Sequence, residues 1–145
     1  MRKTVRWNHL NKYLIDTNII IFTTKGDEKA VSFMEQMYVD QSKDFLCSVI
    51  IEAELFSITM SEKAKKFIED VLSEADIIEV SSDIARKAGE IRAKGKALGS
   101  KIKLPDALIA ATAIIENATL VTHNPVDFHK INQFENLMIL DPMER

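Results

Sequence analysis

Short apolar segments alternate with longer segments of helical spacing along nearly the whole chain. Five of the short segments are predicted to be strands: Lys12–Ile15, Phe45–Val49, Ile77–Val80, Thr119–Thr122 and Leu137–Leu140. Six longer segments are predicted to be helices: Ile19–Thr24, Glu28–Val39, Val49–Met60, Ser61–Ala75, Asp83–Leu98 and Asp106–Glu116. Strands and helices in this order favour an α/β fold, in which helices cover both faces of one central, mostly parallel five-stranded sheet.

The length and composition of the chain suit one compact domain. Its 145 residues are 46% hydrophobic, which is enough for one buried core and too little for two domains. We assign residues 12–145 to this domain and residues 1–11 to a basic N-terminal extension. The single cysteine, Cys47, has no partner for an internal disulfide, and no apolar run approaches the ~18 residues of a membrane span. We therefore expect a soluble, cytoplasmic protein without a membrane partner.

Three aspartates occupy positions from which α/β proteins build their sites. Asp16 directly follows the first predicted strand, Asp127 lies just beyond the fourth, and Asp106 starts the helix before the fourth. Since ligands of such sheets bind beyond the carboxyl ends of the strands, Asp16 and Asp127 should project into the same crevice. Two of them also have simpler possible roles. Asp16 can cap a helix, and the negative charge of Asp106 can interact favourably with the dipole of the helix that it starts. Small residues would let the last helix approach the sheet and carry Asp106 inward: Ala107, Ala110, Ala111 and Ala113.

A fourth acid comes from the apolar segment Val49–Met60, which contains both Glu52 and Glu54. On a helix, Glu54 would have isoleucines at positions i−4, i−3 and i+4. A carboxylate in such surroundings is costly unless it is paired or binds a metal. Glu52 has a serine at i−4, so its face more readily reaches solvent. Periodicity favours Glu54 only slightly, because this segment is apolar on almost every side.

Several carboxylates in one pocket repel one another, and a divalent cation removes that conflict. Oxygen ligands from Asp, Glu and Asn suit Mg²⁺ or Mn²⁺, whereas one cysteine and three dispersed histidines give no zinc pattern. We therefore expect a metal site of this kind. His123 and His129 flank the loop after the fourth strand, where either contact with substrate or an ordinary surface position is open.

Basic residues are concentrated in two segments although the chain has a net charge of −3. The first is the N-terminal extension, and the second runs from Arg86 to Lys103 with Glu90 as its only acid. Such segments are often solvated helix faces, but they also attract phosphates to an otherwise acidic site. For RNA binding we single out four lysines: Lys94, Lys96, Lys101 and Lys103.

With these segments in order, the chain resembles the PIN-domain ribonucleases, and in particular VapC-like toxins of toxin–antitoxin pairs. The similarity extends over about Tyr13–Leu140 and rests on four short motifs: Tyr-Leu-Ile-Asp16-Thr-Asn18, Ser48-Val-Ile with Ala-Glu54-Leu, Asp106-Ala-Leu-Ile-Ala-Ala, and Leu-Val-Thr122-His-Asn124 with Asp127-Phe128. No single motif is specific, but the four motifs in this order and spacing are specific together.

The resemblance implies a role for each motif residue. Asp16, Glu54 and Asp106 would coordinate Mg²⁺ or Mn²⁺, and Asp127 would be the fourth catalytic acid. Polar support of the pocket would come from Asn18, Thr122 and Asn124. Many members of the family have Asp where this chain has Asn124, which leaves open both the residue that fills the fourth acidic position and the number of metals.

The resemblance also implies hydrolysis of RNA phosphodiester bonds, a homodimer, and inhibition by a cognate antitoxin protein. A basic residue of such an antitoxin can replace the cation among the carboxylates. The main alternative is a catalytically inactive PIN fold that binds RNA or acts in assembly. A phosphotransferase of the haloacid-dehalogenase type is disfavoured, because that chemistry needs a second acid at the position of Asn18.

Overall fold

The computed structural model describes residues 11–144. Its strands are β1 (Lys12–Ile15), β2 (Asp44–Ser48), β3 (Asp76–Ile78), β4 (Thr119–Val121) and β5 (Ile139–Leu140). Its helices are α1 (Thr17–Thr24), α2 (Glu28–Val39), α3 (Val49–Phe56), α4 (Glu62–Ser73), α5 (Ser82–Ala97), α6 (Leu104–Ile115) and α7 (Val126–Asn132). The predicted α/β class and five-stranded sheet are confirmed.

All neighbouring strands of the sheet run parallel, in the order β3-β2-β1-β4-β5. The central strand β1 pairs with β2 on one side and β4 on the other, so that Tyr13 lies opposite Phe45 and Thr119. Consecutive residues of a strand point to opposite faces, and both Leu14 and Ile15 are fully buried. Helices therefore cover both faces of the sheet, as predicted.

The strand order also places the crevice where ligands bind in such folds. From β1 the chain proceeds outward through β2 and β3, and it later returns to the other side of β1 as β4 and then β5. The strand order thus reverses between β1 and β4. At such a switch point the connections leave in opposite directions and open a crevice at the carboxyl ends of the two strands. Asp16 and Thr122 are the residues that directly follow them.

Three local predictions differ from the structure. Helix α3 ends at Phe56, four residues before the predicted end at Met60, and Ile58 beyond it is 42% exposed. Helix α5 begins at Ser82 and ends at Ala97, one residue before each predicted bound. The short helix α7 (Val126–Asn132) was not predicted, and it is the element that carries Asp127.

Other expectations concern the chain ends, membrane association and Cys47. Residues 1–10 lie outside the described residues, so the N-terminal extension stays a prediction. Within residues 11–144, no helix combines the length and apolar character that a membrane crossing requires. Cys47 is buried in β2 as a free thiol, and burial raises its pKa to about 12.

Serine side chains begin three of the helices. The Ser48, Ser61 and Ser81 side chains each accept a hydrogen bond from a backbone N–H in the first turn of the helix that follows. In α5 the bond runs from the Ile84 N–H to the Ser81 Oγ at 3.1 Å. These bonds satisfy amides that have no partner within the helix.

Replacement of this cap should lower stability without affecting the acidic site. We expect Ser81→Ala to reduce the free energy of unfolding by about 1 kcal/mol, because the Ile84 amide loses its acceptor. Urea unfolding followed by circular dichroism measures the change. Ser82→Ala is the matched control, since Ser82 is equally exposed and makes no side-chain hydrogen bond within residues 11–144. Equal losses in the two variants would contradict the capping role.

Candidate active site

Asp16 is a buried carboxylate at the end of the central strand. Only 7% of its surface is exposed. Its backbone N–H continues the ladder by donating to the Val121 carbonyl at 2.9 Å. Its Oδ1 accepts from the Thr17 N–H at 2.8 Å, and its Oδ2 accepts from the Thr122 hydroxyl at the same distance. Asp16 is therefore both the cap of α1 and a pocket residue, so its two possible roles do not exclude each other.

The Thr122 hydroxyl connects the ends of β1 and β4. It is fully buried and donates its proton to Asp16. It accepts from the Asn18 side-chain amide at 3.3 Å and from the Asn124 N–H at 3.1 Å. The Asn18 Oδ1 in turn accepts from the His123 N–H at 3.0 Å. The predicted supporting residues thus form one network that fixes the Asp16 carboxylate.

Glu54 enters the same site from α3. Its Oε1 accepts from the Thr17 hydroxyl at 2.8 Å, which joins α3 to the start of α1. Glu54 lines the pocket that Asp16 lines, whereas Glu52 does not. The structure therefore places Glu54 at the site. Thr17, which the sequence analysis did not single out, is its anchor.

Asp106 lies in the first turn of α6, which has Pro105 near its start and no side-chain cap. The four alanines after Asp106 are all fully buried, as their small size predicted: Ala107, Ala110, Ala111 and Ala113. Their burial brings the helix close to the core and places the half-buried Asp106 at the pocket.

Asp127 reaches the pocket from the first turn of the short helix α7. Its side chain is 44% exposed, and its Oδ1 lies 3.5 Å from the Lys130 Nζ. Asn124 lines the same pocket. Asp127 is thus more exposed than Asp16 and has a lysine near its carboxylate.

The four acids come from separate parts of the chain and line one cavity of about 330 Å³. Burial raises the pKa of Asp16 from its ordinary value of 3.8 to about 6. Its two hydrogen bonds lower that pKa, and the negative charges of Glu54 and Asp106 raise it. Partial burial likewise raises the pKa of Asp106, with further contributions from Asp127 and Glu54. The carboxylates therefore interact with one another through the pocket.

The donor chemistry of this pocket fits a hard divalent cation. All four acids offer oxygen ligands. A divalent cation among them would offset both the burial and the repulsion that raise the pKa values of Asp16 and Asp106. Within residues 11–144, no three acidic, histidine or cysteine side chains already stand in an arrangement that would hold a metal.

An acid–histidine pair lies beside the pocket. The His123 Nδ1 is 3.1 Å from both carboxylate oxygens of Asp141, and its ring packs edge-on against Phe22 at 5.5 Å between centroids. Phe22 lines the acidic cavity. Asp141 was missed, although it directly follows the last strand as Asp16 follows the first. His129 is an exposed residue of α7.

The four lysines predicted to bind RNA occupy different environments. Lys94 lies 2.9 Å from Glu90 and 3.3 Å from Glu135. Lys103 precedes α6, and its charge lowers the pKa of Asp106. Lys96 and Lys101 line a separate cavity. RNA binding by these residues stays a prediction.

Residues 13–133 match the model of the PIN domain. The match spans most of the chain. The chain belongs to the PIN domain family. The four acids and the supporting threonine of this PIN domain all lie inside the matched segment.

Named relatives extend the comparison. The tRNA(fMet)-specific endonuclease VapC of Shigella flexneri is 28% identical over 123 residues, which cover 83% of this chain and 92% of the relative. Ribonuclease VapC2 of Rickettsia felis is 28% identical over 122 residues, which cover 82% of this chain and 91% of the relative. Both are therefore matched over nearly their whole length.

Solved structures agree with this assignment. VapBC2 of Rickettsia felis, crystallised with a DNA fragment from its promoter, superposes with a TM-score of 0.75 at 29% identity over 89% of this chain and 97% of that one. A toxin–antitoxin complex from Klebsiella pneumoniae superposes with a TM-score of 0.68 at 30% identity over 92% of this chain and 99% of that one. The PIN fold of this chain is thus shared with proteins of toxin–antitoxin complexes.

Ionisation of Asp16 should destabilise the metal-free protein. Because its pKa is about 6 when folded and near 3.8 when unfolded, the unfolded state loses this proton first as the pH rises. The free energy of unfolding should therefore fall as the pH rises through roughly 4 to 6, and about 1 kcal/mol of it should be lost between pH 5 and pH 7. Asp16→Asn should abolish this part of the pH dependence.

Urea unfolding at pH 5 and pH 7 in the presence of EDTA measures the effect. The quantity compared is the difference between the wild type and Asp16→Asn at each pH, which cancels the titration of groups that do not interact with Asp16. Glu35→Gln is the control, since Glu35 is exposed and makes no polar contact within residues 11–144. An Asp16→Asn variant with the same pH dependence as Glu35→Gln would refute the raised pKa.

Proposed function

We propose that this protein is a divalent-cation-dependent ribonuclease that hydrolyses RNA phosphodiester bonds. The observation that carries the proposal is the convergence of Asp16, Glu54, Asp106 and Asp127 on one cavity at the switch point of the sheet. Each of these acids comes from a different helix or helix start. A fold that needed these groups only for stability would gain nothing from gathering four like charges.

Support also comes from the relatives, two of which carry the names ribonuclease and endonuclease. Their similarity extends over 82–83% of this chain. Sequence similarity of this extent supports a shared class of reaction. It does not specify the RNA that this chain cleaves.

We propose that Asp16, Glu54 and Asp106 hold one Mg²⁺ or Mn²⁺, with Asp127 as a fourth acid beside it. When bound, such an ion makes water a stronger nucleophile and stabilises the charge that develops on the phosphate. The remaining contributions come from the chain itself. The Thr122 hydroxyl and the Thr17 amide hold the two oxygens of Asp16 in place, and the Thr17 hydroxyl holds Glu54.

These hydrogen bonds favour the proposed reaction in two ways. The two bonds to Asp16 favour its ionised form, which is the form that binds a cation. The bonds also restrict the rotation of the side chains before the ion or the substrate arrives. Removal of an outer hydrogen-bond partner of a metal ligand typically lowers affinity or activity by about 10–100-fold.

We further propose that the protein is the toxin of a toxin–antitoxin pair, with a cognate antitoxin protein as its partner. The support is the likeness to chains of toxin–antitoxin complexes over about nine-tenths of this chain. A basic antitoxin side chain in the acidic cavity would take the place of the cation and block the site. A homodimer and a cytoplasmic location, where RNA is available, complete the proposal.

Loss of the acids should abolish cleavage. Purified protein should cleave single-stranded RNA in Mg²⁺ or Mn²⁺ and stop in excess EDTA. Asp16→Asn and Asp106→Asn should each lower the single-turnover rate by more than about 100-fold, since loss of a ligand exceeds the effect of losing its outer partner. Gel analysis of a labelled RNA measures the rate, and undiminished cleavage in EDTA would refute the metal dependence. RNA binding without cleavage would instead indicate an inactive RNA-binding module.

The two glutamates of α3 provide an internal comparison. Glu54→Gln should lower the rate by more than about 100-fold, because it removes a charge from the cavity while the amide oxygen can still accept from Thr17. Glu52→Gln should change the rate by less than about twofold, since Glu52 does not line the cavity. The same single-turnover assay, with circular dichroism as a check of folding, decides between them. The reverse pattern would show that α3 presents Glu52 to the metal.

A further inference from the structure

A second cavity, of about 570 Å³, lies between the last turns of α5 and the loop that leads into α6. Three basic side chains line it: Arg92, Lys96 and Lys101. Its other lining residues are small, polar or apolar, and no acidic residue of the described chain is among them. The cavity therefore carries a formal charge of +3, in a protein whose total formal charge is −3.

The backbone holds this cavity in a defined shape. A side chain at Gly95 would place its Cβ 2.7 Å from the Ile102 Cγ1, so the loop packs directly on the helix. The Ser100 N–H donates to the Gly95 carbonyl at 2.8 Å, and the Arg92 Nε–H donates to the Ile102 carbonyl at 3.0 Å. Arg92 thereby has one N–H fixed, and its terminal amino groups make no bond within residues 11–144.

The basic residues of α5 are divided between two environments. Lys87 lies 2.8 Å from Glu135, and Lys94 lies 2.9 Å from Glu90. By contrast, Lys96 and Lys101 form no ion pair with any residue of the described chain. The charge of the cavity is therefore not offset by neighbouring acids. Three uncompensated cations around one space favour an anionic ligand.

The cavity is close to the acidic site along the chain. Lys101 precedes Asp106 by five residues, so their Cα atoms are at most about 18 Å apart. Between them, Lys103 is near enough for its charge to lower the pKa of Asp106. An extended strand of RNA that enters the acidic site can therefore place a nearby phosphate in the cavity.

We propose that this cavity binds a backbone phosphate of the RNA substrate, away from the bond that is cleaved. The proposal rests on the ribonuclease function proposed above. Arg92 offers two terminal amino groups to the phosphate oxygens, and Lys96 and Lys101 act as point charges. An acidic segment of a protein partner is less favoured, because protein interfaces are depleted in lysine and enriched in aromatic anchors, which this cavity lacks.

The test compares three variants of the full chain, each combined with Asp16→Asn to prevent cleavage. The first, Lys96→Gln with Lys101→Gln, removes two charges from the cavity. The second, Lys63→Gln with Lys65→Gln, removes two exposed and unpaired lysines of α4, and the third, Lys66→Gln, removes a lysine that is ion-paired with Asp70. Fluorescence anisotropy measures binding of a labelled single-stranded RNA over a series of salt concentrations.

We expect the slope of log affinity against log salt to become shallower by about 1.4 in the cavity variant, at about 0.7 for each lost phosphate contact. The slope should not change in the other two variants. With Asp16 restored, the cavity variant should cleave saturating RNA at the wild-type single-turnover rate and show a raised KM. Thermal melting followed by circular dichroism should be equal for all variants.

Three results would overturn the proposal. One is an equal slope in the cavity and α4 variants, even if inorganic phosphate alone binds the cavity at high concentration. Another is loss of binding to an acidic peptide without a change in the RNA slope, which would assign the cavity to a protein partner. The third is an Asp16→Asn protein that binds no RNA. A shallower slope in a protein that never cleaves RNA would support the cavity and refute the ribonuclease function, so the two failures are distinguishable.

Discussion

The hydrogen bond between the Thr122 hydroxyl and the Asp16 carboxylate joins the ends of the two central strands and sets the geometry of the acidic cavity. Asp16 is buried and repelled by its acidic neighbours, so its ionised form needs partners that lower its pKa. Thr122 supplies one of them. It does so only because it also accepts two hydrogen bonds, from Asn18 and from the Asn124 backbone, which fix its rotation. Loss of this hydroxyl would remove three hydrogen bonds of the network at once.

The parallel topology makes this arrangement possible. In a parallel sheet every strand presents its carboxyl end at one edge, so short segments after β1 and β4 meet without long loops. Glu54 and Asp106 then approach from helices that cover the sheet, which places four like charges in one cavity. This negative cavity and the positive one beside α5 are lined by different residues. The basic loop before α6 leads along the chain from the positive cavity to Asp106. The two cavities thus differ in charge, since one is lined by three basic residues and the other by four acids.

Some features of the site could be predicted from the sequence, and others could not. Asp16 and Asp106 could be predicted, because each has a strand or helix start next to it. Asp127 could be named, but helix α7 could not, since seven residues after Pro125 give too short a period to recognise. Thr17 and Asp141 were missed because their roles depend on contacts with residues 37 and 18 positions away. Lys94 has Glu90 four residues before it in the sequence, but its contact with the distant Glu135 could not be predicted.

The sequence by itself determined the alternation of strands and helices, and with it the α/β class, because periodicity and turn residues act over a few neighbouring positions. It also determined which residue types are available for a metal. The tertiary structure alone decided that Glu54 rather than Glu52 faces the cavity, because α3 is apolar on most sides and only its packing selects a face. It also decided which charges are paired and which are left to bind a ligand. Electrostatic interactions depend on distances in space, and those distances follow from the folded chain.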